Sequence, residues 1–328
     1  MYMLKQYPDQ DDLNNNGRSF YEDVLVGLRS QMKSLPSKYF YDAKGDVLFQ
    51  QIMRSPEYYL TRCEEEIFRN KTQELLDSLF QRNQAVDLVE LGAGDASKTQ
   101  HLIAELLRQQ YHFTYRPIDI SSHVLAQLQE RMLADFPAMD LLTFQGDYFD
   151  GLSEMQAKGS RPKVVLFLGA NIGNMTREQA LQFCLRLRSL LNKGDRVLLG
   201  VDLMKSPRIV QAAYDDEAGL TWQFNINLLH RMNKELGADF NEDLFEHYCQ
   251  YDPMSGTCSS YLVSLLDHVV HFPGEQVQFA KDELIHMEVS QKYRFDETKA
   301  LAKASGFLPL HAVADSRNWF VDVIWEAF

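Results

Sequence analysis

The chain has 328 residues, 45% of them hydrophobic, and a formal net charge of −13, enough length and apolar content for two globular domains with sizeable cores. That acidity disfavours a nucleic-acid substrate, whose phosphates select basic surfaces. The scattered Cys63, Cys184, Cys249 and Cys258 indicate neither a disulfide framework nor a zinc site, and no apolar run approaches the ~20 residues that cross a bilayer.

Residues 1–17 are polar and Asn/Asp-rich, without the apolar core of a secretory signal; a cytoplasmic monomer with no membrane or nucleic-acid partner is expected. From about residue 64 to 201, strand-like and helix-like segments alternate, as in a parallel sheet covered by helices on both faces. The first strand carries Val86, Leu88, Val89 and Leu91, and ends in Glu90-Leu-Gly92-Ala-Gly94. The helix after it places Leu102, Ile103, Leu106 and Leu107 at helical spacing. A second short strand ends at Asp119, and a third at Gly146-Asp147-Tyr148. Residues 163–168 form a nearly unbroken apolar run, which predicts a central strand buried on both faces. Thr176 with Gln179 reads as a capping box, opening a helix that should run to Gly194; residues 196–201 supply the next strand.

The alternation then breaks. Residues 207–236 read as helical and polar-rich, and 258–271 and 277–290 as strands. From 295 the α/β pattern resumes, with a helix at 298–305 and strands around His311 and 319–325. The expected fold is therefore α/β, a Rossmann-like sheet formed by 64–203 and 295–328. The second, substrate-binding domain would comprise 18–63 and the insertion 204–294, which follows a strand's carboxyl end, where ligands of such sheets bind.

The turn at Gly92 and Gly94 points to a ligand. Glycine lets backbone turn tightly and approach a bound molecule. A dinucleotide turn has a third glycine where Ser97 stands here, and it cradles a pyrophosphate. S-adenosylmethionine has no phosphate; it presents a sulfonium, an ammonium, a carboxylate and a ribose. Glu90 near the amino-acid end, Asp119 for the ribose hydroxyls, and Asp147 and Tyr148 for the adenine edge and face suit that ligand better. A dehydrogenase is the weaker reading, handicapped by Ser97.

With those pieces placed, the chain resembles the histidine-specific Nα-methyltransferases that make hercynine for ergothioneine biosynthesis. The motifs include Lys38-Tyr-Phe-Tyr-Asp-Ala-Lys-Gly45, Pro56-Glu-Tyr-Tyr-Leu-Thr-Arg62, Phe167-Leu-Gly-Ala-Asn-Ile-Gly-Asn174, Gly200-Val-Asp-Leu-Met-Lys205, Ala213-Tyr-Asp-Asp-Glu-Ala-Gly219 and Glu288-Val-Ser-Gln-Lys-Tyr293. The resemblance implies S-adenosylmethionine as methyl donor, held by Gly92, Lys98, Asp119, Asp147 and Tyr148. It implies L-histidine as the small-molecule substrate, its carboxylate on Asn174 and Tyr214. Tyr41 and Tyr58 would line its site, and Glu288 and Ser290 would read its imidazole. Some members carry a methionine against the imidazole where Ser260 aligns, and some have threonine in place of Asn171. Ser260 thus motivates an alternative substrate, another amino acid or a histidine derivative. A non-catalytic binding protein is the alternative of another class, disfavoured by intact acids at the strand ends.

The chemistry asks little of the protein in covalent terms. An uncharged α-amine attacks a sulfonium methyl in line, and the barrier falls because the reactants are held aligned. No metal is expected. The amine must arrive unprotonated, so hydroxyls, amides and water are expected beside it, with Tyr41 and Asn174 as the catalytic candidates; a nearby carboxylate would hold the proton on. Tyrosine faces would accommodate a quaternary ammonium after repeated transfer. His286, on one strand face with Glu288 by alternation, reads as structural.

Overall fold

The computed structural model describes residues 19–82, 84–159 and 161–328, so the 1–17 tail lies outside them. The chain divides into two compact units, Met1–Tyr59 with Lys205–Ser290, and Leu60–Met204 with Gln291–Phe328. The first crossing thus falls four residues before the position 64 expected from sequence, and the last at 290/291 instead of 294/295.

The unit of 60–204 and 291–328 is built on one sheet. Its parallel part runs from the short strands Asp140–Leu141 and Phe144–Gln145 through Phe113–Asp119, Val86–Leu91 and Lys163–Phe167 to Arg196–Asp202. Phe320–Ala327 then pairs antiparallel with Arg196–Asp202, and Phe307–Ala314 pairs antiparallel with Phe320–Ala327. This is the class I methyltransferase order, with Val86–Leu91 in the interior. Every residue of Val86–Leu91 and Lys163–Phe167 is buried, which is why these strands are mostly apolar, with Asp87, Glu90 and Lys163 as buried exceptions. The Thr176 capping box forms as expected, with Gln179 reaching back to the Thr176 backbone. The helix it opens ends at Ser189, not at Gly194. Its last N–H groups turn onto nearer carbonyls at Leu190 and Leu191, and Gly194, with φ 90°, starts the turn into the next strand.

The other unit has a sheet ordered Lys33–Ser34, Leu284–Gln291, Thr257–Ser264, Phe245–Asp252, and a separate hairpin of His268–Phe272 with Glu275–Phe279. The last residue of Leu284–Gln291, Gln291, belongs to the unit of 60–204 and 291–328. Two helices, Pro207–Tyr214 and Leu220–Leu236, occupy the stretch read as one helical region. Gly219, at φ 68°, separates them. The helix Ala43–Arg54 is capped by Asp42, whose Oδ1 accepts from Gly45 N (2.7 Å) and from Asn227 Nδ2 (2.8 Å). One carboxylate thereby caps one helix and ties it to another. Among the described residues, no helix is long and apolar enough to cross a membrane.

Candidate active site

The expected donor residues lie together at the carboxyl ends of the parallel strands, all within the unit of 60–204. Gly92 and Gly94 have φ of 69° and 51°, in the left-handed region that glycine enters without penalty. A Cβ at Gly92 would stand 2.7 Å from the Tyr148 hydroxyl, whereas one at Gly94 would meet nothing within 4 Å. Tyr148 therefore closes one side of the turn, and Gly94 leaves the other side open.

Asp119 is half-buried, and its Oδ1 accepts from Ser121 N at 2.9 Å. Asp147 caps the helix Tyr148–Lys158, with Oδ1 accepting from Phe149 N at 2.8 Å. In both residues the second carboxylate oxygen has no partner among the described residues, so each offers an acceptor to a ligand. Burial, followed by the nearby Asp119 and Asp147 carboxylates, pushes the Tyr148 hydroxyl up to about 12. It stays a neutral donor.

Glu90 requires a correction. Its side chain is turned inward, 3% exposed, with one oxygen accepting from Thr99 Oγ1 (2.8 Å) and the other from the Tyr115 hydroxyl. It pins the start of the helix Thr99–Arg108 and the neighbouring strand; it does not face a ligand. Burial lifts its pKa to about 7, against the pull of those two hydroxyls. Lys98 reaches inward as well, forming an ion pair with Glu64, whose two oxygens also accept from Gly169 N at 2.9 Å.

Asn174 ends the short 3-10 turn Asn171–Asn174 that follows the central strand Lys163–Phe167, and it is exposed. The preceding Gly173 lies so close to the Gln291 backbone that a Cβ would meet its carbonyl oxygen at 2.9 Å.

The expected substrate residues, Asn174 apart, lie in the unit of 19–59 and 205–290. The Tyr214 hydroxyl shares a 2.7 Å hydrogen bond with Ser290 Oγ, and His247 Nε2 donates to the Tyr214 carbonyl at 3.0 Å. The Tyr58 ring meets Tyr214 edge-on at 6.1 Å and Phe49 at 6.4 Å, and Phe49 meets Tyr41 at 5.6 Å. These contacts make a continuous aromatic row, with Tyr41 at its exposed end, 43% accessible. Phe49 was not singled out from sequence; in an amphipathic helix it reads as ordinary core. Lys205 was missed too: its Nζ donates to the Tyr59 hydroxyl at 2.8 Å.

Ser260 lies in the strand Thr257–Ser264. The Tyr261 and His286 rings meet at 5.4 Å, so they share a sheet face. Ser290 meets the Tyr214 hydroxyl, and the Tyr214 carbonyl accepts from His247, whose strand position faces away from Tyr248 and Tyr261. Ser260 follows the parity opposite to Tyr261 and lies across from Cys249 on the other face, 3% exposed. His247 and Cys249 share that face by alternation, so Ser260 stands on the side where His247 holds Tyr214. His286 is kept neutral by burial, which lowers its pKa.

The comparisons with known proteins bear on the family. A family model described as a histidine-specific, S-adenosylmethionine-dependent methyltransferase matches residues 20–327. The histidine N-alpha-methyltransferase of Mycolicibacterium smegmatis is 38% identical over 305 residues, 91% of this chain and 92% of that protein. The one from Mycobacterium tuberculosis is 35% identical over 309 residues, 92% and 90%. Ergothioneine biosynthesis protein 1 of Schizosaccharomyces pombe is 29% identical over 279 residues, 83% of this chain but 36% of that longer protein. A match across nearly the whole chain, on a sheet whose first turn is open beside two available carboxylates, settles the family: the chain belongs to the S-adenosylmethionine-dependent, histidine-specific methyltransferases.

Proposed function

We propose that this protein transfers methyl groups from S-adenosylmethionine to the α-amine of L-histidine, and that repeated transfer yields the trimethylated betaine, hercynine. The observation that carries the proposal is the match to the histidine-specific family over residues 20–327. The donor supplies an electrophilic methyl on a cationic sulfur, and the work left to the protein is binding, alignment and keeping the amine unprotonated.

In this reading the unit of 60–204 and 291–328 binds the donor and the other unit binds the amino acid. Asp119 accepts hydrogen bonds from the ribose hydroxyls, and Asp147 and Tyr148 hold the adenine. The Gly92–Gly94 turn and Lys98 serve the amino-acid end. Asn174 and Tyr214 hold the substrate carboxylate. Glu288 and Ser290 read the imidazole, and because Ser290 shares a hydrogen bond with Tyr214, the two ends of the substrate are held by one connected pair. A half-buried carboxylate facing an imidazole N–H discriminates against substrates without that donor. Tyr41 and Asn174 are assigned to the amine, supplying polar contacts without a full negative charge. The aromatic row of Tyr41, Phe49, Tyr58 and Tyr214 suits a cation that gains methyl groups. Ser260, buried across from Cys249, departs from the family pattern, and the alternative it motivates is a different amino acid or a histidine derivative as substrate. A cytoplasmic monomer is part of the proposal.

Incubation with labelled methyl donor and each of the twenty amino acids in turn tests it. Histidine should acquire label, and its mass should rise by up to three methyl groups. Label on a different amino acid, with none on histidine, would overturn the substrate assignment.

A further inference from the structure

A buried group of charges below the donor turn has no role in the account so far. Glu64, on the helix Tyr59–Asn70, and Asp322, on the strand Phe320–Ala327, are both fully buried. Asp322 lies directly across from Gly200 in the antiparallel pair. The Glu64 carboxyl occupies the space over Gly200 that a side chain would otherwise fill. A Cβ built there would collide with Glu64 Oε1 and stand 3.3 Å from Asp322 Oδ1. Gly200 is thus the cradle in which the two carboxyl groups meet.

The donors are unequally shared. Glu64 accepts from Lys98 and from Gly169 N. Neither oxygen of Asp322 receives a hydrogen bond from any donor among the described residues. Two ionised carboxylates cannot sit side by side in a dry space with a single ammonium to compensate them. A protonated carboxyl resolves the arrangement, because it converts an orphaned acceptor into a donor aimed at its neighbour.

We propose that Asp322 is held as the neutral acid and donates its proton in a hydrogen bond to Glu64, so that a single negative charge faces Lys98, and that this pair is the positioning element that fixes the Lys98 ammonium for the donor's carboxylate. The second half rests on the assignment of Lys98 to the donor in the proposed function. Glu64, Lys98 and, one step further along the same strand ends, Glu90 are the ionisable groups that face this cluster. Glu64 and Asp322 come from a helix and a strand more than two hundred residues apart in sequence, which is why neither stood out there.

Two measurements test the proposal. The carbon-13 carboxyl resonances of aspartate-labelled wild-type protein at about pH 8 should include one in the protonated range, and Asp322→Asn should lack it. The wild-type spectrum alone suffices should the variant fold poorly. By calorimetry, Glu64→Gln should weaken S-adenosylmethionine binding about tenfold and leave the Michaelis constant for histidine within about twofold. Lys98→Met should lose a similar amount, and the double variant should lose no more than the worse single. Asp322→Asn, whose amide can still donate to Glu64, should bind donor within about threefold of wild type, whereas Asp322→Leu should resemble Glu64→Gln. A wild-type spectrum with every aspartate ionised, or unaltered donor affinity in Glu64→Gln, overturns the proposal. Absence of donor binding in the wild type would instead refute the proposed function and leave the protonated aspartate standing.

Discussion

Replacing Gly92 by alanine perturbs the donor turn in two separable ways. The backbone at φ 69° costs an L-residue about 1–2 kcal/mol. The new Cβ also stands 2.7 Å from the Tyr148 hydroxyl, which must retreat by several tenths of an ångström. That ring is packed edge-on against Phe167 at 6.0 Å, so the retreat adds about 1 kcal/mol, at the low end for overpacking. The sum, about 2–3 kcal/mol, lowers Tm by roughly 4–12 °C for a domain of this size. Gly94→Ala has the same backbone cost at φ 51° and no atom within 4 Å, so it should lose only about 1–2 kcal/mol. Tyr148→Phe removes the clashing oxygen and leaves Cζ as the nearest atom, at an ordinary 3.5 Å. Gly92→Ala in that background should therefore cost no more than Gly94→Ala. Thermal unfolding of the four members of the cycle checks this, with an expected coupling of about 1 kcal/mol. A coupling below about 0.3 kcal/mol, with Gly92→Ala no worse than Gly94→Ala, would show that the Tyr148 hydroxyl does not close the turn.

Glu288→Ala should raise the Michaelis constant for histidine at least about tenfold and leave donor affinity intact, and Asp119→Ala should do the reverse; steady-state kinetics with calorimetry separates the two. Tyr214→Phe breaks the hydroxyl pair with Ser290, for an expected five- to twentyfold rise, about 1–1.8 kcal/mol, in the histidine Michaelis constant. Tyr214→Phe with Ser290→Ala should then be no worse than the more damaging single change; additive losses would show that the pair does not act as a unit. Glu90 supplies a pH test. Burial lifts its folded-state pKa from 4.5 to about 7, so its contribution to stability is complete below about pH 4.5 and is lost as pH rises to 7 and beyond. Wild type should lose on the order of 2–3 kcal/mol across that window relative to Glu90→Gln, read as the difference between their urea-unfolding curves. Parallel pH profiles for the two proteins would refute the assignment.

The sheet of the donor unit was legible because its strands are buried on both faces and carry little else but apolar side chains. The Thr176–Gln179 box was legible because it is purely local. Phe245–Asp252 escaped notice. It alternates buried Phe245, Cys249 and Tyr251 with exposed Glu246 and Gln250, too few apolar residues to stand out among loops. Lys33–Ser34 is only two residues long and exists through its parallel pairing with Ile285 and His286. Asp119 and Asp147 could be placed at strand ends from the sequence alone. Glu90 could not be told from them, because its inward turn depends on Thr99 and Tyr115, which come from neighbouring elements. Ser260 shows a related limit: alternation gives two faces, and only contacts such as that of His247 with Tyr214 say what stands on each.

The strand order of the donor unit has a consequence for synthesis of the chain. Phe320–Ala327 is an interior strand, flanked by Arg196–Asp202 and Phe307–Ala314, yet it is translated after the whole 205–290 segment. Until it leaves the ribosome, Arg196–Asp202 is an uncovered apolar edge with unpaired peptide groups, open to association with other chains. Folding of this unit therefore waits for the translation of residues 320–327, and nascent chains arrested before residue 320 should be bound by chaperones that recognise exposed strands.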